Sequence, residues 1–289
     1  MAEATGPHDP SAVPLAFVFS GGASLGAAQA GMLRALYEFD LRPDLLVGTS
    51  VGAINAAFAA GRPPTANAAA ELASIWRAVS RGDVFPANPL TAGLGLLGIR
   101  SHAVPDSALR RLVARHCTLE RLEDARVPLH VVATDLLSGE EVRLSDGPAA
   151  DALMASAAIP GVFPPVERDG RWLVDGGVVN NTPISHAVEL GADRVIVLPG
   201  IGHARLSRAP RGVMGAAVAG MSRAICRRFA EDVERFRACV ELTILPGPRH
   251  AEILPTDFGH ADELIEDALV DARRALARAL APRPRLRAA

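Results

Sequence analysis

A serine between two glycines, in Gly48-Thr49-Ser50-Val51-Gly52, is the stretch of this chain best fitted to do chemistry. A serine hydroxyl is a weak nucleophile near neutral pH. It needs a base within hydrogen-bond reach, and N–H donors for the oxyanion that forms on the attacked carbonyl. Its flanks suit the task. Asp44-Leu45-Leu46-Val47 reads as a short buried strand, and residues 53 to 60 are rich in helix formers. Strand, Gly-x-Ser-x-Gly, helix is the context of a nucleophile elbow. Gly48 and Gly52 let the chain reverse without a Cβ clash. Ser50 is then presented at a helix N-terminus, where the dipole favours developing negative charge.

Two further segments could serve that serine. Ser20-Gly21-Gly22-Ala23-Ser24-Leu25-Gly26 is a run of small residues between an expected strand and an expected helix, able to turn its amides towards a bound oxygen. Two nucleotide-binding readings of it fail on spacing. A dinucleotide fingerprint needs glycine where Ala23 stands, and a P-loop needs lysine and a hydroxyl where Ala27 and Ala28 stand. Asp175-Gly176-Gly177 closes another expected strand, so its carboxylate can lie near the strand ends where α/β sites form. Taken alone, Asp-Gly-Gly also fits a plain turn. A Ser-His-Asp triad stays open as well, with His203, His250 or His260 as its imidazole; His186 falls inside a helix and reads as a packing residue.

The elements needed to hold these groups are legible in the pattern. Strands are expected at 15–19, 44–47, 129–134, 171–174, 194–198 and 240–245, with an edge strand at 141–144. Helices are expected at 27–39, 53–60, 66–79, 107–116, 151–158, 183–190 (capped by Thr182), 213–238 and 262–280; residues 86–105 read as a loop. Strands alternating with helices predict an α/β fold, a mostly parallel central sheet in a three-layer α/β/α arrangement. Residues 14–281 are expected to form one domain, after a disordered leader at 1–13 and before an Arg/Pro-rich tail at 282–289.

Composition narrows the chemistry. Of 289 residues 49% are hydrophobic but only 4% aromatic, so Ala, Leu and Val must build the core. A net charge of −2 argues against a nucleic-acid partner. All 30 basic residues are arginine, which removes Schiff-base and P-loop lysine chemistry. Cys117, Cys226 and Cys239 are too scattered for a disulfide framework or a zinc pattern, and no metal or other cofactor is expected. The start of the chain lacks a signal-peptide pattern and no apolar run reaches a membrane span, so a cytoplasmic protein is expected.

Together and in order, five stretches resemble the patatin-like phospholipases, in their small single-domain bacterial form. They are Phe19 to Gly26 with Gly31-Met32-Leu33; Gly48 to Ala53; Ala133-Thr134-Asp135-Leu136 with Ser138-Gly139-Glu140; Ala155 to Pro165; and Asp175 to Pro183. The resemblance spans about residues 15 to 200. It implies a Ser-Asp dyad, with Ser50 as nucleophile and Asp175 as a base acting on it directly. It also implies an oxyanion hole around the amides of Gly21, Gly22 and Ala23, with Gly176 and Gly177 supporting the aspartate. The substrates it implies are lipid acyl esters: phospholipids, lysophospholipids or glycerides. Two positions depart from the pattern. Ala23 stands in place of a third glycine and can still donate its N–H if its φ is negative. Leu25 stands in place of Arg or Lys. The loss of that charge motivates a rival reading, a binding or regulatory protein with weak catalysis.

Contact with membranes enters as a peripheral hypothesis. The apolar, glycine-rich stretch from Leu90 to Ile99 fits either a lid opening on a lipid surface or a buried connection. Arg227, Arg228, Arg235 and Arg237 fit either headgroup contact or a solvated face balanced by Glu231, Asp232 and Glu234.

Overall fold

In the computed structural model the described residues are 14–97, 99–201, 212–249 and 253–281. The expected leader at 1–13, the tail at 282–289, and His203 and His250 lie outside them. Among the described residues eight strands build one sheet: β1 (Leu15–Phe19), β2 (Leu45–Thr49), β3 (Leu129–Asp135), β4 (Glu141–Leu144), β5 (Val166–Arg168), β6 (Arg171–Asp175), β7 (Arg194–Leu198) and β8 (Glu241–Ile244). The helices are α1 (Ala28–Glu38), α2 (Val51–Ala60), α3 (Ala66–Ala78), α4 (Arg81–Val84), α5 (Pro89–Leu96), α6 (Ser107–His116), α7 (Ala149–Ser156), α8 (Ile184–Glu189), α9 (Gly212–Phe236) and α10 (Ala261–Ala279).

Strands β3, β2, β1, β7 and β8 lie side by side and parallel. Because strand side chains alternate between faces, β1 divides its residues between two cores. Leu15, Phe17 and Phe19 enter a large one under α1, α2, α3, α7 and α10. Ala16 and Val18 enter a smaller one under α8 and α9, where Ile184, Phe229 and Phe236 pack. With both faces covered the central strands carry near-continuous apolar runs, and the layers are α/β/α.

The antiparallel strands solve the placement of the site. On β3, Val132 pairs with Thr49 of β2, and the next residue, Ala133, pairs with Asp175 of β6. Strand β4 pairs with both Val132 and Ala133. A strand has two edges, so β4 holds one and β2 and β6 must share the other, end to end. The last residue of β2 and the last residue of β6 therefore meet on neighbouring rungs of β3.

Several local expectations change. Residues 89–96 are helical rather than looped, and Leu90, Leu97 and Ile99 are 72%, 74% and 67% exposed, which rules out a buried connection. The hairpin strand β5 joins β6. Pro183, not Thr182, precedes the first turn of α8, and no side chain caps it.

Candidate active site

Ser50 is the residue between β2 and α2, and its backbone carries the strain an elbow implies, with φ 56° and ψ −129°. The glycines around it are required by contact. A Cβ on Gly48 would stand 2.6 Å from Cα of Ala53, and one on Gly52 would run into the carbonyl of Phe19. Helix α2 thus sits hard against the ends of β1 and β2. The Ser50 N–H donates to Ser156 Oγ at 2.8 Å, and that hydroxyl donates to the Val132 carbonyl at 2.6 Å. Ser156 ties the elbow to β3 at the rung where β2 ends.

Ser50 Oγ donates to Asp175 Oδ2 at 2.6 Å, and both residues are buried. The other carboxylate oxygen, Oδ1, accepts the Gly177 N–H at 2.7 Å. Thr134 Oγ1 donates to the Asp175 carbonyl, and the Asp175 N–H donates to the Ala158 carbonyl. With its backbone and one oxygen fixed, the carboxylate has one free direction, towards Ser50. Burial pushes its pKa from 3.8 up to about 6, against the smaller lowering effects of the Ser50 and Gly177 hydrogen bonds. Among the described residues no charged side chain contributes to that shift. Leu25, where a basic residue was the pattern, is buried in the core.

The expected oxyanion cradle needs correction at one of its three amides. The Gly21 N–H is taken, donating to the Asn181 carbonyl at 3.0 Å. Ala23 does not have a negative φ: it stands at +50°, in the left-handed region. Among the described residues no acceptor takes the N–H of Gly22 or of Ala23. Two donors are therefore available where three were expected. Gly22 could not be another residue, since a Cβ there would collide with the carbonyl of Gly200.

A chain of buried amides locks this loop to the elbow helix. Trp76 Nε1 donates to Asn55 Oδ1, Asn55 Nδ2 donates to Gln29 Oε1 and to the Gly26 carbonyl, and Gln29 Nε2 donates to the carbonyls of Ser20 and Leu198. None of these, nor Ser156, was singled out as a site residue from sequence. Asn55 and Gln29 do stand out as lone polar residues in Ala-rich helical stretches, which is the signal that was there to use.

The remaining candidates stand elsewhere. His260 is half-exposed beside Asp257 and Glu263, and no imidazole touches Asp175 or Ser50 among the described residues. His186 is buried with Nε2 2.9 Å from Glu141 Oε2. Arg227, Arg228 and Arg237 pair with Glu231, Asp232 and Glu234, and Arg235 lies over Phe236, so the balanced-face reading of α9 fits. Among the described residues no group of three or more His, Cys, Asp or Glu is arranged to hold a metal ion, and no helix is long and apolar enough to cross a membrane.

Ser50 opens into a cavity of about 810 Å³, its open mouth included. Its walls come from one face of α2 (Val51, Ile54, Asn55, Phe58), from α3 and α6, and from the segment after α7. The chain holds nine Phe, two Trp and one Tyr. Of these scarce rings, Phe58, Trp76, Phe85, Phe163 and Phe258 all line this cavity. Phe85 stacks on Phe163 at 5.5 Å, and Phe258 lies 6.1 to 6.4 Å from Phe85 and Trp76. A buried hydroxyl-carboxylate pair at the head of an apolar cavity can attack an acyl group whose hydrocarbon lies in the cavity.

Comparison with known proteins gives this arrangement its relatives. Residues 17–188 match the family described as patatin-like phospholipase. An uncharacterized NTE family protein of Mycobacterium tuberculosis is 32% identical over 186 residues, 64% of this chain and 48% of that protein. Human patatin-like phospholipase domain-containing protein 6 is 30% identical over 187 residues, 64% of this chain and 13% of that protein. The chain thus matches about half the length, or less, of these relatives. The crystal structure of VipD from Legionella pneumophila aligns over 93% of this chain and 67% of its own, with 15% identity and a TM-score of 0.48.

Proposed function

Since the chain belongs to the patatin-like phospholipase family, we propose that it is a serine acyl hydrolase of lipid esters working through the Ser50–Asp175 dyad. The observation that carries this reading is the 2.6 Å hydrogen bond from Ser50 Oγ to a buried carboxylate whose pKa stands at about 6. A carboxylate of ordinary pKa is a poor proton acceptor, whereas one raised to about 6 is better matched to the work and still ionised at neutral pH. In the first half-reaction Oγ attacks the ester carbonyl carbon and its proton passes to Asp175 Oδ2. The N–H groups of Gly22 and Ala23 receive the oxyanion. The C–O bond to the alcohol then breaks, and Asp175 returns the proton to the departing oxygen. In the second half-reaction water attacks the acyl-enzyme, gives its proton to Asp175, and Ser50 recovers it as the fatty acid leaves. No step calls for a metal or a cofactor.

Peripheral contact with a lipid surface belongs to the same proposal, supported by the exposed Leu90, Leu97 and Ile99. The alternative, a binding protein with weak catalysis, draws on Leu25, which leaves the carboxylate without a nearby cation among the described residues. Fluorophosphonate trapping with peptide mapping separates the two. The reading expects label on the Ser50 peptide, lost in Ser50→Ala and strongly slowed in Asp175→Asn. Failure of the native protein to label there, together with no turnover of any acyl ester, rejects it.

A further inference from the structure

Resting on the acyl-hydrolase reading for its ligand class, we propose that the cavity measures acyl length: it accepts a chain of about ten carbons and stops at a floor made by Phe58 and His116. The gauge is helix α2 itself. Ser50 sits at its N-terminus, and Val51, Ile54, Asn55 and Phe58 face the cavity at successive turns. At about 1.5 Å of rise per residue, Phe58 lies about 12 Å along the axis from Ser50. An extended hydrocarbon with C–C bonds of about 1.5 Å advances about 1.3 Å per carbon, so the wall offers room for about nine or ten carbons.

Beyond Phe58 the surroundings turn polar. The Arg62 guanidinium carbon sits 3.6 Å above the centre of the Phe58 ring. The same guanidinium pairs with Glu71 at 2.9 Å and reaches the His116 carbonyl at 3.5 Å. His116 therefore lies at the C-terminal end of α2, the end far from Ser50. A longer chain would have to move the ring and strip water from an ion pair, which costs more than further methylenes gain. Burial first, and then the charges of Arg115 and Arg62, hold His116 below the usual imidazole range. The cation at the floor, Arg62, is already paired with Glu71, so the polar head of a ligand is left to the Ser50 end.

The test needs no turnover. Saturated primary alcohols of four to sixteen carbons, each below its solubility limit, are titrated into Ser50→Ala protein carrying Trp172→Phe, with Trp76 in the cavity wall as fluorescent reporter. Affinity should rise about fourfold per methylene up to about ten carbons and then level. Ile54→Phe, which fills the cavity halfway down, should move the break to about five carbons. Phe58→Ala should move it at least two carbons the other way. Affinity climbing without a break to sixteen carbons, or a break that Ile54→Phe leaves in place, overturns the gauge. The matching p-nitrophenyl esters are run with the native serine. Hydrolysis at every length with no break rejects the gauge while leaving the hydrolase reading, and a break in binding with no ester cleaved keeps the gauge while rejecting the hydrolase.

Discussion

At the scale of single residues, Asp175 joins function to a standing cost in stability. Its carboxyl titrates near 6 in the folded protein against 3.8 ordinarily, because burial penalises the charge. The stability this group lends is therefore full below pH 3.8 and lost as pH rises through 6. The active form is the ionised one, so kcat/KM should fall about tenfold per pH unit below 6 and level off above it. Asp175→Asn can keep the Gly177 hydrogen bond while shedding the buried charge. It should abolish hydrolysis and yet melt higher than the native protein at pH 8, by up to about 3 kcal/mol in unfolding free energy. Equal melting at pH 8 would mean that the charge is not penalised as described. Ala23 gives the converse case, strain without charge. Left-handed φ costs an alanine about 1–2 kcal/mol, so Ala23→Gly should stabilise by a few tenths to about 1 kcal/mol after the added freedom of the unfolded chain is counted. It should leave turnover intact, and thermal melts beside initial rates would show both.

At the scale of elements, the dyad is a product of strand pairing. Val132 and Ala133 are adjacent on β3, and they pair with Thr49 and Asp175, which brings together Ser50 and Asp175, 125 positions apart. Gly176 lies at that junction, where a Cβ would strike the Val132 carbonyl and the Thr49 methyl. Gly176→Ala should therefore push the end of β6 off β3, lengthen the Ser50–Asp175 contact and lower kcat by tenfold or more. Retention of full activity would show that the rung is not what holds the pair. This junction also marks how far the sequence could be read. The apolar runs of β1, β3 and β7 fix those strands nearly to the residue, because a strand buried on both faces has little freedom in composition. Strand β5 was hidden, being three residues after Pro164-Pro165 with no alternation to see. Helix α5 was hidden because Gly93 and Gly95 are poor helix residues, and context overrode propensity. Ser50 and Asp175 were legible as motifs. That the Gly21 amide is spent on Asn181, or that Ser156 tethers the elbow, depends on long-range pairing which no local pattern encodes.

At the scale of the whole molecule, the family match ends at residue 188, but the structure that holds the site does not. Strand β7 pairs with β1 along its full length, and α10 lies across α1 with Leu264, Ile265 and Leu269 in the main core. The approach of those two helices is backbone to backbone at Gly31, where a Cβ would meet the Ile265 carbonyl and the Leu269 N–H. Around that contact the ion pairs Arg77–Asp262 and Arg273–Glu38 are substantially exposed, and pairs of that kind contribute little. Close packing at Gly31 must then carry most of what keeps α10 in place. Gly31→Val should destabilise by about 1–3 kcal/mol or more, since a close-packed core has no slack for two backbones to separate. The loss should be the same in 1 M salt as in dilute buffer, whereas a helix held by its ion pairs would weaken with salt even in the native protein. Because Ser24 donates to the Leu254 and Pro255 carbonyls on the approach to α10, the same substitution should also reach the loop that carries Gly22 and Ala23. Activity should then fall by more than the unfolded fraction accounts for, and urea melts run beside initial rates on one preparation would separate those two losses.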